Sequence, residues 1–353
     1  MPKQSTVVRF SHPRPTTNWS ADHHQLHRLL RRHPTLLPAE QGLLLAVSGG
    51  QDSMALVALL QALQPQHRWR LTLWHGDHRW RPGSSRQAAE LADWARGQGL
   101  ALVQDSRPSD TDQRASEAAA REWRYGCLVE RAQELGCRRV VTGHTASDRA
   151  ETLLLNLARG SHRRGLAALP RQRNLAPGVE LVRPLLAFTR ADTARICQEQ
   201  QRPVWLDPSN ADRAFSRNRL RLEVMPVLQA LYPGAERRLA RLAAQLEEAE
   251  RASQELLALA LDQLETSAPP GSPGAGLPYR RLCALDRANQ EQLLQAWLER
   301  HTGRRWPSHT VETLLDQLPH SAGRGQWALA DGWRLLWQGP TLWLSHEPDS
   351  RAR

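Results

Sequence analysis

Hydrophobic positions in the first two hundred residues fall into short unbroken runs separated by longer stretches at helical spacing. Leu43 to Val47 (LLLAV) is a continuous apolar run, the pattern of a strand buried on both faces. Ser53 to Leu63 is rich in Leu, Ala and Met at helical spacing and predicts a helix. The alternation then repeats. Trp69 to His75 (WRLTLWH) reads as a second strand, Ser84 to Gln98 as a helix closed by Gly97 and Gly99, and Leu100 to Gln104 as a third strand. Ser116 to Leu135 is a long helix whose cap and first-turn acid are Ser116 and Glu117. Arg138 to Thr142 is a fourth strand, and a helix follows to Arg159-Gly160. Glu180 to Leu186 is strand-like, and Thr189 caps a helix to Gln200.

Strands alternating with helices at this spacing predict an α/β fold with a doubly wound, mostly parallel sheet. In such sheets ligands bind beyond the carboxyl ends of the strands. The loops at 48–53, 75–81 and 143–148 each follow a strand and are expected to converge on one site.

The texture changes from Trp205. WLDPSN (205–210) is a turn, and Phe215 to Arg221 (FSRNRLR) is a basic run entering a helix. Ala235 to Leu264 is a long helix of alternating charge and Leu/Ala, and Ser267 to Pro278 is the clearest linker. Helices over Asn289 to His301 and His309 to Leu318 precede short strands around Trp327–Leu329, Trp333–Trp337 and Leu342–Leu344. The expected organisation is a disordered extension (1–21), a catalytic domain (22–220), a helical connector (221–266) and a small α+β module (279–346). A short helix from Asp22 to Arg32 presents His23, His24 and His27, which read as a solvated face rather than a metal site. There are no internal repeats.

Composition adds a partner class. A net charge of +11, almost all of it arginine, favours a polyanion, nucleic acid above all. Some of the 13 tryptophans are candidates for stacking on unpaired bases. The four cysteines (Cys127, Cys137, Cys197, Cys283) form no C-x-x-C and read as reduced thiols. No apolar run reaches bilayer length and the N-terminus has no secretory core, so a cytoplasmic protein is expected.

The candidate chemistry begins at Ser48-Gly49-Gly50-Gln51-Asp52-Ser53, between the first strand and its helix. Two glycines permit a sharp turn, and successive N–H groups at a helix N-terminus make an anion site suited to phosphate. Asp52 would repel a phosphate unless a cation intervened, so it reads as an Mg²⁺ contact. This is not a Walker loop, which needs a lysine that the chain, with Lys3 alone, does not supply. A second acidic centre lies at His144, Asp148 and Glu151, with the two acids one helical turn apart and Asp148 suited to general-base or metal duty. Arg121 and Arg124 share a helix face with Tyr125 and, with Arg217, are candidates for holding substrate phosphates.

The hexapeptide resembles the pyrophosphate loop, SGGxDS, of the N-type ATP pyrophosphatases (the PP-loop superfamily), which cleave ATP between the α- and β-phosphates and adenylate a carbonyl oxygen. The longer pattern resembles the tRNA(Ile)-lysidine synthetase family: AVSGGQDSMALVALL (46–60), HGDHRWRPGS (75–84), SEAAAREWRYGCL (116–128), VTGHTASDRAETLLLNLARG (141–160), RPLL (183–186), WLDPSN and FSRNRLR (205–221). The pieces cover most of residues 43 to 226. Two positions depart from the family pattern. Ser147 stands where the first of two acids is usual, and His162 where a glycine is common in RGSGxxGL.

The resemblance implies a two-step ligase. ATP would adenylate the 2-oxo group of the wobble cytidine in an isoleucine tRNA with a CAU anticodon. Free lysine would then displace AMP and give lysidine. It implies ATP held by Ser48, Gly49, Gly50, Gln51, Asp52 and Ser53. It also implies Mg²⁺ on Asp52 and Asp148, and chemistry at Asp52, His144, Asp148, Glu151, Arg121 and Arg124. Arg217, Asn218 and Arg221 would face the tRNA or adenylate, and the C-terminal module would grip tRNA. A homodimer is one assembly consistent with this reading. Three other readings compete. One is a tRNA-thiolating ATP pyrophosphatase, which typically needs a cysteine pair or C-x-x-C. Another is an RNA-binding protein with a lost ATPase, motivated by Ser147. The third is a small-molecule ligase, against which the positive charge weighs.

Overall fold

The computed structural model describes residues 19–77, 83–107, 117–205, 212–267, 275–318, 324–339 and 341–346. Most of the N-terminal extension, residues 78–82 of the second loop, Ser116, the 206–210 turn and the centre of the linker lie outside the described residues. The chain divides into two units, Met1–Glu247 and Glu248–Arg353.

The first unit is built on six strands: β1 (Gly42–Ala46), β2 (Arg70–Asp77), β3 (Ala101–Ser106), β4 (Arg139–Thr142), β5 (Gln172–Ala176) and β6 (Val179–Val182). Their order is β3-β2-β1-β4-β6-β5, parallel except for β5, which runs antiparallel to β6. The doubly wound expectation is borne out. β1 is central because all of Leu43, Leu44 and Leu45 must leave water, each contributing about 2 kcal/mol of burial. Leu43 and Leu45 join the core on one face, whereas Leu44 joins Trp74, Val103 and Val140 on the other.

The helices are α1 (Ala21–Arg32), α2 (Gln51–His67), α3 (Ser84–Gly97), α4 (Glu117–Glu134), α5 (Ala146–Ala158), α6 (Arg163–Leu166) and α7 (Arg190–Glu199). α2 has no polar stripe: Met54 to Leu60 are all fully buried, since the helix is packed by β2, α1 and α7. From β1 the chain winds to β2 and β3 on one side and later to β4 and β6 on the other. The winding therefore reverses between β1 and β4, the position at which such sheets bind ligands.

Several local expectations change. β5 (QRNLA) is a polar edge strand with no apolar alternation, so the sequence pattern gives no sign of it. The strand expected to reach Leu186 stops at Val182. Pro184 has no N–H for a ladder, which accounts for the stop. His23 is buried rather than solvated: its Nδ1 accepts from the Ser20 N–H at 3.0 Å and closes the start of α1. His27 meets His67 at 3.2 Å, and His67 stacks on Trp69.

After α7 come α8 (Ser216–Arg219), a π-helical turn (Leu220–Val224), α9 (Met225–Leu231) and α10 (Ala235–Leu264), the last spanning the division between the units. Pro226 offers no N–H to the carbonyl four residues earlier, a local reason for the widened turn.

The second unit is a four-stranded antiparallel sheet, β7 (Leu277–Pro278), β8 (Arg324–Ala328), β9 (Trp333–Gln338) and β10 (Thr341–His346), in the order β7-β10-β9-β8. α11 (Tyr279–Cys283), α12 (Arg287–Thr302) and α13 (Ser308–Gln317) complete it. Its core includes Trp297, Leu294, Leu314, Leu335 and Leu342. Gly325 lies opposite Trp337, whose ring fills the space a β-carbon would take.

Candidate active site

The loop after β1 is held in shape by hydrogen bonds from several elements. Gly49 has φ +82° and its carbonyl accepts from the Trp205 N–H at 3.0 Å. Gln87 Nε2 donates to the Ser48 carbonyl at 3.0 Å. Ser48 Oγ accepts from the Gly50 N–H at 3.2 Å, and Ser53 Oγ donates to the Gly50 carbonyl at 2.8 Å. Gly50 is the N-cap of α2 and supplies no side-chain cap. The first N–H groups of α2, on Gln51, Asp52 and Ser53, have no intrahelical acceptor and sit at the positive end of the helix dipole.

Two loop residues are oriented by α7. Gln51 Nε2 donates to the Arg190 carbonyl at 2.7 Å and to Thr193 Oγ1 at 2.9 Å, so its side chain points at α7. Asp52 Oδ1 accepts from Thr193 Oγ1 at 2.5 Å, and Oδ2 lies 3.1 Å from the Arg190 guanidinium. Burial raises the Asp52 carboxyl above its ordinary value, with Arg190 opposing that rise. Thr193 and Arg190 carry no motif. Their sequence signal is indirect: Thr189 caps a helix that begins just beyond a strand of the same sheet. Its capping box with Asp192 fixes that start.

The second centre abuts the first. A β-carbon on Gly143 would lie 2.7 Å from the Asp52 carbonyl oxygen and 2.9 Å from Ser53 N, so glycine lets the two loops touch. The loops at 48–53 and 143–148 therefore converge. His75, from the third, donates from Nδ1 to the Val47 carbonyl at 2.8 Å just before the cradle.

Asp148 sits in the first turn of α5, where Oδ2 accepts from Thr145 N and Oγ1, each at 2.8 Å. Its Oδ1 accepts from Arg217 at 2.8 Å. Glu151, 1 % exposed, accepts from Arg217 Nε at 2.8 Å and from Arg221 at 2.6 and 2.8 Å. Burial would raise the Asp148 carboxyl, but Arg217 and the neighbouring His144 and Arg190 hold it below its ordinary value. His144 pairs with Thr142 Oγ1 at 2.8 Å, and burial pushes its imidazole down to about 4, leaving it neutral at neutral pH.

The remaining candidates make other contacts. Arg121 lies against Tyr125, its guanidinium carbon 5.1 Å from the ring centroid, whereas the charge of Arg124 is felt at His75. Asn218 Nδ2 donates to the Asp212 carbonyl and closes the preceding turn. Ser147 Oγ accepts from the Arg190 N–H at 2.9 Å, so the residue that departs from the family pattern ties α5 to α7. His162 is the N-cap residue of α6.

A phosphate cradle at the winding reversal of a parallel sheet, with acids at the next strand end, defines an ATP-using PP-loop protein. A family model described as a PP-loop domain matches residues 20–228. The tRNA(Ile)-lysidine synthase of Parasynechococcus marenigrum is 51% identical over 330 residues, covering 92% of this chain and 95% of that protein. A tRNA(Ile)-lysidine synthase of Prochlorococcus marinus is 37% identical over 338 residues, covering 94% of this chain and 97% of that protein. Among solved structures, the U34-tRNA thiolase NcsA from Methanococcus maripaludis superposes with a TM-score of 0.54 over 64% of this chain and 78% of its own, at 15% identity, a likeness of fold alone. The chain belongs to the tRNA(Ile)-lysidine synthase family, ATP-using ligases that modify tRNA. No helix among the described residues is long and apolar enough to cross a membrane.

Proposed function

We propose that this protein adenylates the wobble cytidine of an isoleucine tRNA with a CAU anticodon and transfers free lysine to it, in the cytoplasm. The observation that carries this is the contact of the two centres through Gly143, which sets a pyrophosphate cradle beside a buried, arginine-held pair of acids. In the first step the cytidine 2-oxo oxygen attacks the α-phosphorus of ATP and diphosphate leaves. The free α2 N–H groups and the Ser48 hydroxyl hold the leaving group where its charge grows. In the second step the lysine ε-amine attacks C2 and AMP leaves. Neutral His144 or ionised Asp148 would take the proton lost by the amine.

Two carboxylates at the neighbouring loops, half-buried Asp52 and buried Asp148, fit a hard divalent cation that takes its other ligands from phosphate and water. Mg²⁺ bound there would offset the charge of the triphosphate. Asp52, steadied by Thr193, and Asp148, steadied by Thr145, are the residues that would hold it. The net charge of +11 supports a tRNA partner, and the C-terminal unit would add contacts of its own.

Mass spectrometry of the anticodon nucleoside, after incubating isoleucine tRNA with ATP and lysine, tests the proposal. A lysine adduct on cytidine is expected. Sulfur incorporation, or ATP turnover with no nucleoside change, would refute it. Light scattering of the purified protein tests the accompanying proposal of a homodimer.

A further inference from the structure

Beside the acid pair lies a set of charges that the proposed chemistry does not use. Tyr125, on α4, is flanked by two guanidinium groups: Arg121 at 5.1 Å and Arg173 at 4.7 Å from the ring centroid. Arg183 is near enough that its charge is felt at the phenol. It is 1 % exposed, its Nη1 donates to the Pro170 carbonyl at 2.5 Å, and its Nε has no partner. Among the described residues no carboxylate pairs with Arg121, Arg173 or Arg183.

Three positive charges around one neutral phenol, one of them buried, are costly without an anion. The neighbours register the excess. Burial, with Arg173 and Arg121 adding to it, lowers Arg183 to about 10. Burial would raise the Tyr125 hydroxyl, but the arginines pull it below its ordinary value.

The topology says which anion fits. Arg183 follows the carboxyl end of β6, and Arg173 is near the start of antiparallel β5, so both lie at the edge of the sheet where ligands bind. From β1, where the cradle sits, β4 comes next with His144 and Asp148, then β6, then β5. At ~4.8 Å per strand the backbones of Arg183 and Arg173 stand roughly 10 to 14 Å along the sheet from β1. β4, which leads into His144 and Asp148, therefore stands between the cradle strand and the strands that carry Arg183 and Arg173. Arg121 is exposed and Arg173 half-buried, so the cluster opens outward, as a polymer's backbone requires.

We infer that Arg121, Arg173 and Arg183, gathered around Tyr125, form a clamp for a backbone phosphodiester of the tRNA anticodon loop, beside the nucleotide whose base enters the site. The clamp rests on the proposed tRNA-modifying function. Guanidinium groups suit it because they grip phosphate oxygens in bidentate fashion. Arg183 is the fixed, buried member, and Arg121 and Arg173 are the members that phosphate can reach from solvent.

The test is fluorescence anisotropy of unmodified isoleucine tRNA binding across a series of salt concentrations. Arg173→Gln should weaken binding about tenfold, the loss of one charge-assisted hydrogen bond. It should also flatten the slope of log affinity against log salt by about 0.7. Arg173→Lys should keep the slope while binding more weakly than wild type. Arg121→Gln, at an exposed position whose replacement leaves the fold intact, should repeat the slope change. ATP affinity by equilibrium dialysis should be unchanged in Arg173→Gln. Wild-type affinity and slope in both glutamine variants would overturn the inference. So would lost ATP affinity with tRNA binding intact, since the anion would then be nucleotide phosphate. Lysidine formation by the wild type, followed in the same preparations, tests the parent reading separately.

Discussion

Gly143→Ala is the sharpest perturbation of this site, because it adds one methyl group where two backbone segments meet. The new carbon would sit 2.7 Å from the Asp52 carbonyl oxygen, 2.8 Å from the Asp52 carbonyl carbon and 2.9 Å from Ser53 N. Ordinary contact begins at 3.4 Å, so the segments must part by about 0.7 Å. All three atoms are backbone at the start of α2, in the most buried helix of the unit, so no side chain can swing aside. Overpacking of this kind costs about 1–3 kcal/mol. The catalytic effect should be of comparable size. A displacement of about 1 Å can cost a hundredfold, so roughly tenfold or more is expected in kcat/KM, with the cradle and the acid pair drawn out of register. The assay is diphosphate release against ATP concentration with tRNA and lysine saturating, alongside urea unfolding. Gly97→Ala is the control, since a methyl group there meets nothing within 4 Å in the last turn of α3. If Gly143→Ala matches wild type in both stability and kcat/KM, the two loops are not held in mutual register and the account of the site fails.

Asp52→Ala should abolish diphosphate release, because it removes the carboxylate proposed to hold the cation and strands Arg190 beside the cradle; near-normal release would remove Asp52 from that role. Asp148→Asn should lose turnover while equilibrium dialysis still shows ATP binding, since the Thr145 contacts can survive the amide but the Arg217 charge pair cannot. His75 is held neutral by burial, its value lowered from 6.5. Because an unfolded histidine gains its proton first as pH falls, the native state should lose stability as pH drops below 6.5 towards the lower folded value. It should be insensitive to this group above 6.5. His75→Asn should therefore lose stability less steeply than wild type between pH 7 and 5 in urea titrations; equal slopes would exclude His75 as a contributor.

The sheet was readable because buried parallel strands must be apolar on both faces, and runs such as LLLAV have few other uses. β5 was not readable, because an edge strand exposed to water keeps polar residues and is defined only by its ladder with β6. His23 shows the same limit on a helix: its burial depends on what packs over α1, which the α1 sequence does not state.

The chain alone determined the chemistry of the cradle. Ser48 to Ser53 follows a buried strand and opens a helix, and the free N–H groups of a helix N-terminus suit a phosphate. The tertiary structure decided what the cradle faces. Asp52 is held by Thr193 and Arg190, some 140 positions later in the chain, and Glu151 by Arg217 and Arg221. Arg173 and Arg183 reach Tyr125 only because β6 and β5 extend the sheet past β4. Spacing along a chain reports which side chains share a helix face or a turn. Which distant charges meet is settled by the strand order and the direction of winding, and these no local pattern records.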